Sequence, residues 1–376
     1  MSRYDVIVIG VGAMGSSACR ELAMRGRRVL GLEQHDIPHD LGSSHGDSRL
    51  IRFCYYEHPD YVPLLRRTYE LWEERNAAGT PVFIETGGLY MGTEDDELIS
   101  GSLESARTHD LPHERLDRGQ LADRYPQFTV PDDHVAIYEP RGGLLRPEAS
   151  VSGAVVEALA NGAVLHGRER VTGWEAGDGG VEVRTDRDRY TADRLVLAGG
   201  AWAPELLTGR VELQVSRQVL AWVWPSRPER FALGVLPIWG VGRGGGTLDY
   251  GFPLLPGGRP GFKLALHERG STADPNALDR SFRDEDRATI ERILAEDFGE
   301  ENAPILSVGV CMYTNTSDGH FLLDAHPAHD NVIVAAGFSG HGFKFAPVVG
   351  EIIADLVDDG ATRHPIGFLG FQRFTA

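Results

Sequence analysis

The sequence predicts an α/β domain with a parallel sheet, assembled from discontinuous stretches, into which an α+β domain with a largely antiparallel sheet is inserted. Three observations carry that prediction. The chain opens on a β-α-β pattern around Gly10, Gly12 and Gly15. The same alternation returns in the middle of the chain and again at its C-terminal end. The two intervening blocks instead show short, aromatic-rich strand patterns broken by Gly/Pro turns.

Taken in order, residues 4–9, "YDVIVI", form an apolar run that reads as a buried strand. A glycine turn, an alanine-rich helical stretch to about residue 25 and a second strand, "RRVLGLE", ending at Glu33, complete the opening unit. Residues 66–75 carry Tyr, Leu and Trp at helical intervals and predict a helix against a sheet. From about residue 84 come short strand-like runs, a helix around 99–108 and a Pro-rich passage ending at Pro147. "SVSGAVVEALA", from Ser150, is helical, and "ADRLVLAGGAW" at 192–202 is a strand feeding another glycine turn. From 215 to about 317 strand patterns alternate with turns such as "FPLLPGGRPG", interrupted by an acidic helix at 281–298. The tail returns to a strand at 331–336, a loop "FSGHGFK" and a helix "FAPVVGEIIADLV". The expected division is residues 1–83, 146–214 and 319–376 for the first domain and 84–145 with 215–318 for the second.

Composition narrows the function classes. The chain has 376 residues with 37 basic and 55 acidic side chains, a formal charge of −18. That surface repels a phosphate backbone, so no nucleic-acid partner is expected. The basic run "RGRR" at 25–28 reads as the solvated end of a helix. The three cysteines, Cys19, Cys54 and Cys311, are too few for a disulfide framework and lack metal-site spacing, so no metal is expected. The first apolar run is only six residues long, too short for a membrane span or a signal peptide. A cytoplasmic protein without a membrane partner is the expectation.

"GVGAMG" places Gly10, Gly12 and Gly15 in G-x-G-x-x-G spacing directly after a strand. Gly10 permits the tight turn, Gly12 lets the backbone approach a pyrophosphate, and Gly15 allows close helix packing. The helix N-terminus then offers free N–H groups to the phosphates. Glu33 ends the second strand 18 residues after Gly15, where its carboxylate can accept both ribose hydroxyls and disfavours a 2′-phosphate. This signature marks a dinucleotide site. It does not choose between FAD and NAD.

Four further segments do choose. "GSSHGDSRLIR" (42–52), "GFKLALH" (261–267), "CMYTNTSDGHF" (311–321) and "AGFSGHGFKF" (336–345) occur in the chain in that order. With them the whole chain closely resembles the monomeric sarcosine oxidase and N-methyltryptophan oxidase family. The resemblance implies an FAD-binding Rossmann-like domain with an inserted substrate domain. It further implies FAD joined through its 8α-methyl carbon to a cysteine sulfur, here Cys311. The residues alone leave Cys311 evenly placed between a reactive thiol and inert core.

Other roles follow from the resemblance in the same way. Lys263 matches the lysine near flavin N5 implicated in oxygen activation, although its alternation with Phe262 and Leu264 also fits a plain strand position. His267 and Tyr250 match active-site positions on the amine side. Arg49 matches the arginine beneath the flavin ring, and Arg52 with Lys344 the pair that clasps a substrate carboxylate, with Tyr55 beside it. Ser43, His45, Ser48, Gly342 and Lys344 match positions beside the cofactor. Tyr313, Thr314 and Asp318 accompany Cys311 in its motif.

The departures fall near the substrate. Ser44-His45-Gly46-Asp47-Ser48-Arg49 stands where relatives commonly read His-His-Gly-Asp-Thr-Arg, a mild change. "RFCYYE" (52–57) stands where they commonly read Arg-His-Ala-Tyr-Gly-Glu, so Phe53, Cys54 and Tyr56 alter the surroundings of Arg52. Phe53, Tyr56, Trp222 and Trp224 therefore suggest an aromatic pocket. The expected reaction is oxidation by O₂ of a small secondary or N-methyl amino acid to an imine, with H₂O₂ released, by a monomeric enzyme. A cyclic imino acid such as pipecolate or proline is the alternative substrate. An NAD-linked dehydrogenase and a non-catalytic FAD-binding protein are the alternative classes.

Overall fold

The computed structural model describes residues 3–129, 131–207, 209 and 211–374. Its first sheet has eight strands. β1 (Arg3–Ile9) lies at the centre, hydrogen-bonded in parallel to β2 (Val29–Leu32) on one side and β12 (Arg189–Leu197) on the other. Helices cover this region, which is why Val6 to Ile9 form an unbroken apolar run rather than an alternation. β9 (Val164–His166) extends the sheet beyond β2. On the side away from β1, β12 is long enough to serve two partners. Its first half pairs with the hairpin of β10 (Val171–Gly177) and β11 (Gly180–Thr185), its second half with β19 (His329–Ala336), which carries β18 (Leu322–His326).

Three helices bury their apolar sides on one face: α1 (Ala13–Met24), α5 (Pro147–Ala160) and α8 (Ala346–Asp359). α1 and α8 touch almost backbone to backbone. A Cβ on Gly350 would lie 2.8 Å from the Ser17 carbonyl oxygen. α2 (Val62–Ala77) packs on α8, and the short α6 (Ala203–Leu207) follows β12.

The second sheet also has eight strands, in the order β17-β13-β16-β15-β14-β5-β7-β6. They are β5 (Gly88–Gly92), β6 (Glu114–Leu116), β7 (Val135–Glu139), β13 (Gln214–Val223), β14 (Ile238–Gly242), β15 (Leu248–Phe252), β16 (Phe262–His267) and β17 (Ile305–Asn315). All neighbours are antiparallel except β14 with β5, the seam where two separate stretches of chain meet. One face is sealed by α7 (Asp284–Phe298), with Phe231, Trp239, Phe262, Leu264 and Phe298 in one cluster. α3 (Glu97–His109) and α4 (Arg118–Arg124) flank the other end. A three-stranded sheet of β3 (Arg49–Ile51), β8 (Gly143–Leu145) and β4 (Phe83–Glu85) also lies in the chain's first half.

The sequence pattern anticipates the parallel core, the acidic helix and the antiparallel sheet. The β10–β11 hairpin, β18 and α4 carry no comparable signal. They are short, half-exposed or set in the Pro-rich passage, where no periodicity develops. No helix among the described residues is long and apolar enough to cross a membrane.

Candidate active site

One cavity joins the two sheets. It begins at the turn after β1, passes Ser43 and Ser44, runs along Cys311 and Met312, and ends among Arg52, Tyr56, Tyr90, Leu248, Tyr250, His267 and Lys344.

The first end is built by glycines, two of which nothing else can replace. Gly10 adopts φ +88°, and a Cβ there would sit 2.5 Å from the Ala198 carbonyl oxygen. A Cβ on Gly15 would lie 1.8 Å from the Gly10 carbonyl oxygen, so only glycine lets α1 start this close to the turn. Gly12 caps α1 without a side-chain bond, and a Cβ there would find only Ser44 Oγ, at 3.5 Å. Ser44 Oγ also accepts the Ala13 N–H at 3.2 Å. Glu33, 5% exposed, accepts Val11 N–H at 2.9 Å and His35 N–H at 3.0 Å. Each carboxylate oxygen keeps a further lone pair for a ribose hydroxyl.

The middle is defined by Cys311 and Arg49. Cys311 is 3% exposed, and Arg49 Nη2 lies 3.7 Å from its sulfur. That guanidinium is anchored by the Ser48 carbonyl (2.8 Å) and the Ser43 carbonyl (3.0 Å). Ser43 Oγ itself donates to the Met312 carbonyl at 2.7 Å, tying the loop to β17.

The far end lies on the inner face of the second sheet, where alternation along β16 brings Lys263, Ala265 and His267 to one side. Tyr313 on β17 donates or accepts at His267 Nδ1, 3.1 Å away, and its hydroxyl also meets that of Tyr250. Burial holds His267 down at about 4, so its ring is neutral near pH 7. Burial likewise pushes both phenols up.

Opposite this chain of polar groups stand two buried cations. Arg52 donates through Nη2 to both Glu57 oxygens, each 2.7 Å away, and through Nη1 to the Cys54 carbonyl at 2.9 Å. The Tyr55 and Tyr56 rings face its guanidinium at 4.6 and 4.5 Å. Burial alone would push the Glu57 carboxyl up, but Arg52, His341 and Lys344 outweigh it and hold it at about 2. Lys344 Nζ donates to the His341 carbonyl at 2.6 Å. Burial first, and then Arg52, pull Lys344 down to about 7, against the pull of Glu57.

The FAD-dependent oxidoreductase family model matches residues 5–356. Monomeric sarcosine oxidase of Streptomyces avermitilis is 44% identical, over 99% of this chain and 98% of that protein. The chain belongs to this family. Within the FAD-dependent oxidoreductases it falls among the sarcosine-oxidase-like amine oxidases. N-methyl-L-tryptophan oxidase of Salmonella arizonae is 33% identical, over 99% of this chain and 100% of its own length. The fold matches the solved structure of NikD, described as an unusual amino acid oxidase, with TM-score 0.85 at 25% identity over 98% of both chains. The NAD-linked alternative falls away with the match to an FAD-dependent family.

The residues present fit FAD. A glycine turn opens onto a helix N-terminus, Glu33 has lone pairs to spare beside it, and the cavity continues past a cysteine and an arginine to the second sheet. Gly342 also lines the cavity, and a Cβ there would strike the Phe338 ring at 2.4 Å.

Several site residues expected for this family sit elsewhere than against the cavity. His45 is 4% exposed and borders a separate pocket with Glu148, Arg168 and Arg259; burial and Arg49 hold it neutral, at about 3. Ser48 is fully buried and turns its hydroxyl to Lys263. Lys263 donates to the Gly46 and Ser48 carbonyls, both at 2.7 Å, instead of lining the cavity. Its pKa is pulled far down by burial and Arg49. Tyr55 stands behind the cations, its hydroxyl bonded to His341. Among the aromatics, Phe53 stacks on Tyr69 at 3.9 Å, Trp222 packs under Arg259 and Lys263, and Trp224 is 43% exposed, so only Tyr56 of the four lines the cavity. Asp318 pairs with Arg373 away from Cys311.

Other contributors carried no sequence signal. Glu139, 1% exposed, accepts Phe53 N–H at 2.5 Å, Cys54 N–H at 2.9 Å and the Tyr90 hydroxyl at 3.4 Å, fixing the segment after Arg52. Ser102 and Ser105 of α3 donate to the Cys54 and Tyr55 carbonyls.

Proposed function

We propose that this chain oxidises a secondary or N-methyl amino acid with O₂, holding the substrate by its carboxylate between Arg52 and Lys344. The observation that carries this reading is the pair of buried cations at the end of the FAD-sized cavity, facing the neutral His267–Tyr313–Tyr250 chain. Two converging cations give a carboxylate charge-assisted bonds and a fixed orientation. An amine brought in with it meets uncharged hydrogen-bonding groups, so nothing on that wall favours keeping it protonated. His267, kept neutral and held through Nδ1 by Tyr313, leaves Nε2 to hydrogen-bond the amine.

The clamp is not empty of charge before substrate arrives. Glu57 occupies Arg52, and a substrate carboxylate must take its place. Buried Tyr55 and Tyr90 and half-buried Tyr56 keep water from replacing either anion.

FAD, when bound, would supply the two-electron acceptor for the carbon next to the amine and the route for those electrons to O₂, giving H₂O₂. Water then hydrolyses the product imine. For an N-methyl substrate the balance is amine, O₂ and water in, primary amine, formaldehyde and H₂O₂ out.

Cys311 is the residue we assign to covalent attachment at the 8α-methyl carbon. Its support is geometric. Its sulfur lines the middle of the cavity, with the Arg49 guanidinium 3.7 Å away. Intact mass under denaturing conditions should exceed the polypeptide by one FAD, and Cys311→Ser should return it to the polypeptide value. We place the division between flavin and substrate domains near residues 83, 145, 214 and 318. A peroxide-coupled screen of sarcosine, N-methyltryptophan, proline and pipecolate tests the reaction. Peroxide from at least one of them is the expected result, and none from any would sink the assignment.

A further inference from the structure

β16 parts from β13 just before it delivers His267. The ladder between the two strands runs from Val223 opposite Phe262 to Leu220 opposite Ala265. Continued, that register would set Ser216 opposite Arg269. Ser216 stands opposite Thr272 instead, and the Ala273 N–H donates to the Val215 carbonyl at 2.9 Å. Three extra residues therefore bow out between the two contacts. A bulge of this kind re-aims the side chain beside it. Here that side chain is His267, which stays paired on its other flank with Leu248 of β15.

Out of register, the Glu268 and Arg269 carbonyls need donors other than the β13 backbone. Two side-chain amides supply them. Gln218 Nε2 donates to the Glu268 carbonyl at 3.0 Å and to Ser216 Oγ at 3.3 Å. Asn315 Nδ2 donates to the Arg269 carbonyl at 3.4 Å and to the same Ser216 Oγ at 3.1 Å. A facing carbonyl admits only the NH₂ end of an amide, so chemistry sets both orientations. Gln218, Ser216 and Asn315 are 4%, 0% and 5% exposed. Gly270, at φ +67°, turns the chain tightly over them; a Cβ there would lie 3.0 Å from Gln218 Nε2 and 3.1 Å from the Arg217 carbonyl oxygen. From the ring side, Tyr313, opposite Ser216 in the β13–β17 register, holds His267 Nδ1.

We infer that Gln218, Ser216 and Asn315 are positioning residues for His267. Their side-chain bonds replace the missing strand pairing and fix where His267 Nε2 meets the substrate amine. This role rests on the amine-oxidase reading above and adds to it the groups that hold its amine side. Arg52 and Lys344 stand on other elements, after β3 and before α8. Loss of the network therefore moves the amine end of the site and leaves the carboxylate end in place. Gln218 also lines the cavity, so a direct touch on substrate or cofactor is the rival role that the test must separate.

The test is the limiting rate of flavin bleaching without oxygen, with acetate affinity as a control that needs no amine contact. Gln218→Met keeps the length of the side chain and removes both N–H groups. It should slow bleaching by an accepted amino acid about tenfold or more, while the dissociation constant of acetate, read from the flavin spectrum, stays within about twofold of wild type. In a His267→Ala background the same change should cost less than about twofold further, because the residue it positions is gone. If none of sarcosine, N-methyltryptophan, proline and pipecolate bleaches the wild-type flavin, the amine-oxidase reading fails and takes this role with it. With an active wild type, an unchanged bleaching rate in Gln218→Met overturns the positioning role alone. So does a loss that persists in full in His267→Ala, or an acetate affinity that falls together with the rate. Should Gln218→Met not fold, Ser216→Ala, which removes only the shared oxygen, decides by the same three readings.

Discussion

Lys344 gives the carboxylate clamp a pH dependence whose sign and window follow from the site. In the ligand-free enzyme its pKa is pulled down to about 7, by burial and then by Arg52. A bound carboxylate reverses part of that. At about 4 Å and an effective dielectric near 20, the attraction is about 4 kcal/mol, or about 3 pKa units. Glu57 already supplies some of this charge, so a net rise of roughly one to two units is the reasonable remainder. Below pH 7 the lysine is protonated whether or not the ligand is present, and affinity is flat. Above pH 7 binding must take up a proton, so affinity falls with rising pH until the bound-state pKa is passed. The dissociation constant of a non-oxidisable carboxylate should therefore rise roughly tenfold to a hundredfold between pH 6.5 and 9.

Among the described cavity groups with resolved shifts, the others titrate outside that window. His267, His341 and Glu57 are held at about 4, 3 and 2. Tyr56, Tyr250 and Tyr313 are pushed up by burial, and Arg52 is raised because Glu57 and the tyrosines outweigh its burial. Acetate, titrated against the flavin spectrum, is the probe, because it has no amine of its own to titrate. Lys344→Met should weaken binding at pH 6.5 and abolish the dependence. A dissociation constant that stays level from pH 6.5 to 9 in the wild type, or a slope that survives in Lys344→Met, would refute the reasoning.

Three further substitutions test other parts of the structure. Lys263→Met removes the buried amino group that donates to the Gly46 and Ser48 carbonyls beside Arg49, a donor placed to answer negative charge developing nearby. Reoxidation by O₂ should slow by about a hundredfold or more; normal reoxidation with slowed anaerobic reduction would contradict that role. Glu139→Gln loosens the segment that follows Arg52 and should raise KM by about tenfold with a smaller change in kcat, measured by steady-state kinetics; an unchanged KM would show that the segment is held without it. Arg75 is 5% exposed, its Nη1 and Nη2 lack hydrogen-bond partners among the described residues, and burial pulls its pKa down to about 10. Arg75→Met should stabilise the fold by about 1–3 kcal/mol and raise Tm; a lowered Tm would show that its contact with Trp72 outweighs the buried charge.

The parts of this molecule that were legible in the sequence are those where local chemistry leaves one solution. The turn after β1 needs glycine at Gly10 and Gly15 for steric reasons, and the central strand, buried on both faces, needs an unbroken apolar run. Glu33 follows from where β2 ends. The substrate end is harder to read, because its walls come from β5, β14, β15, β16 and the segment after β3, brought together only by long-range pairing. Phe53 and Tyr56 are three residues apart in an irregular stretch, where no period says which side chain faces the cavity. The structure sends Phe53 to Tyr69 and Tyr56 to the site. Trp222 and Lys263 are opposite each other in register, which places both on the inner face, yet Lys263 finds its partners in the Gly46–Ser48 turn. Glu139 and Glu57 are isolated acids in sequence, and only the fold shows that each is buried against a specific partner.

The most direct test of the carboxylate-held amine oxidation is the rate of flavin bleaching without oxygen, compared for an accepted N-methyl amino acid and its methyl ester. Ester formation removes the charge that Arg52 and Lys344 are placed to bind while leaving the reacting C–N bond unchanged. The acid should bleach the flavin with a second-order rate constant about a hundredfold or more above that of the ester. Equal rate constants for acid and ester would contradict the clamp.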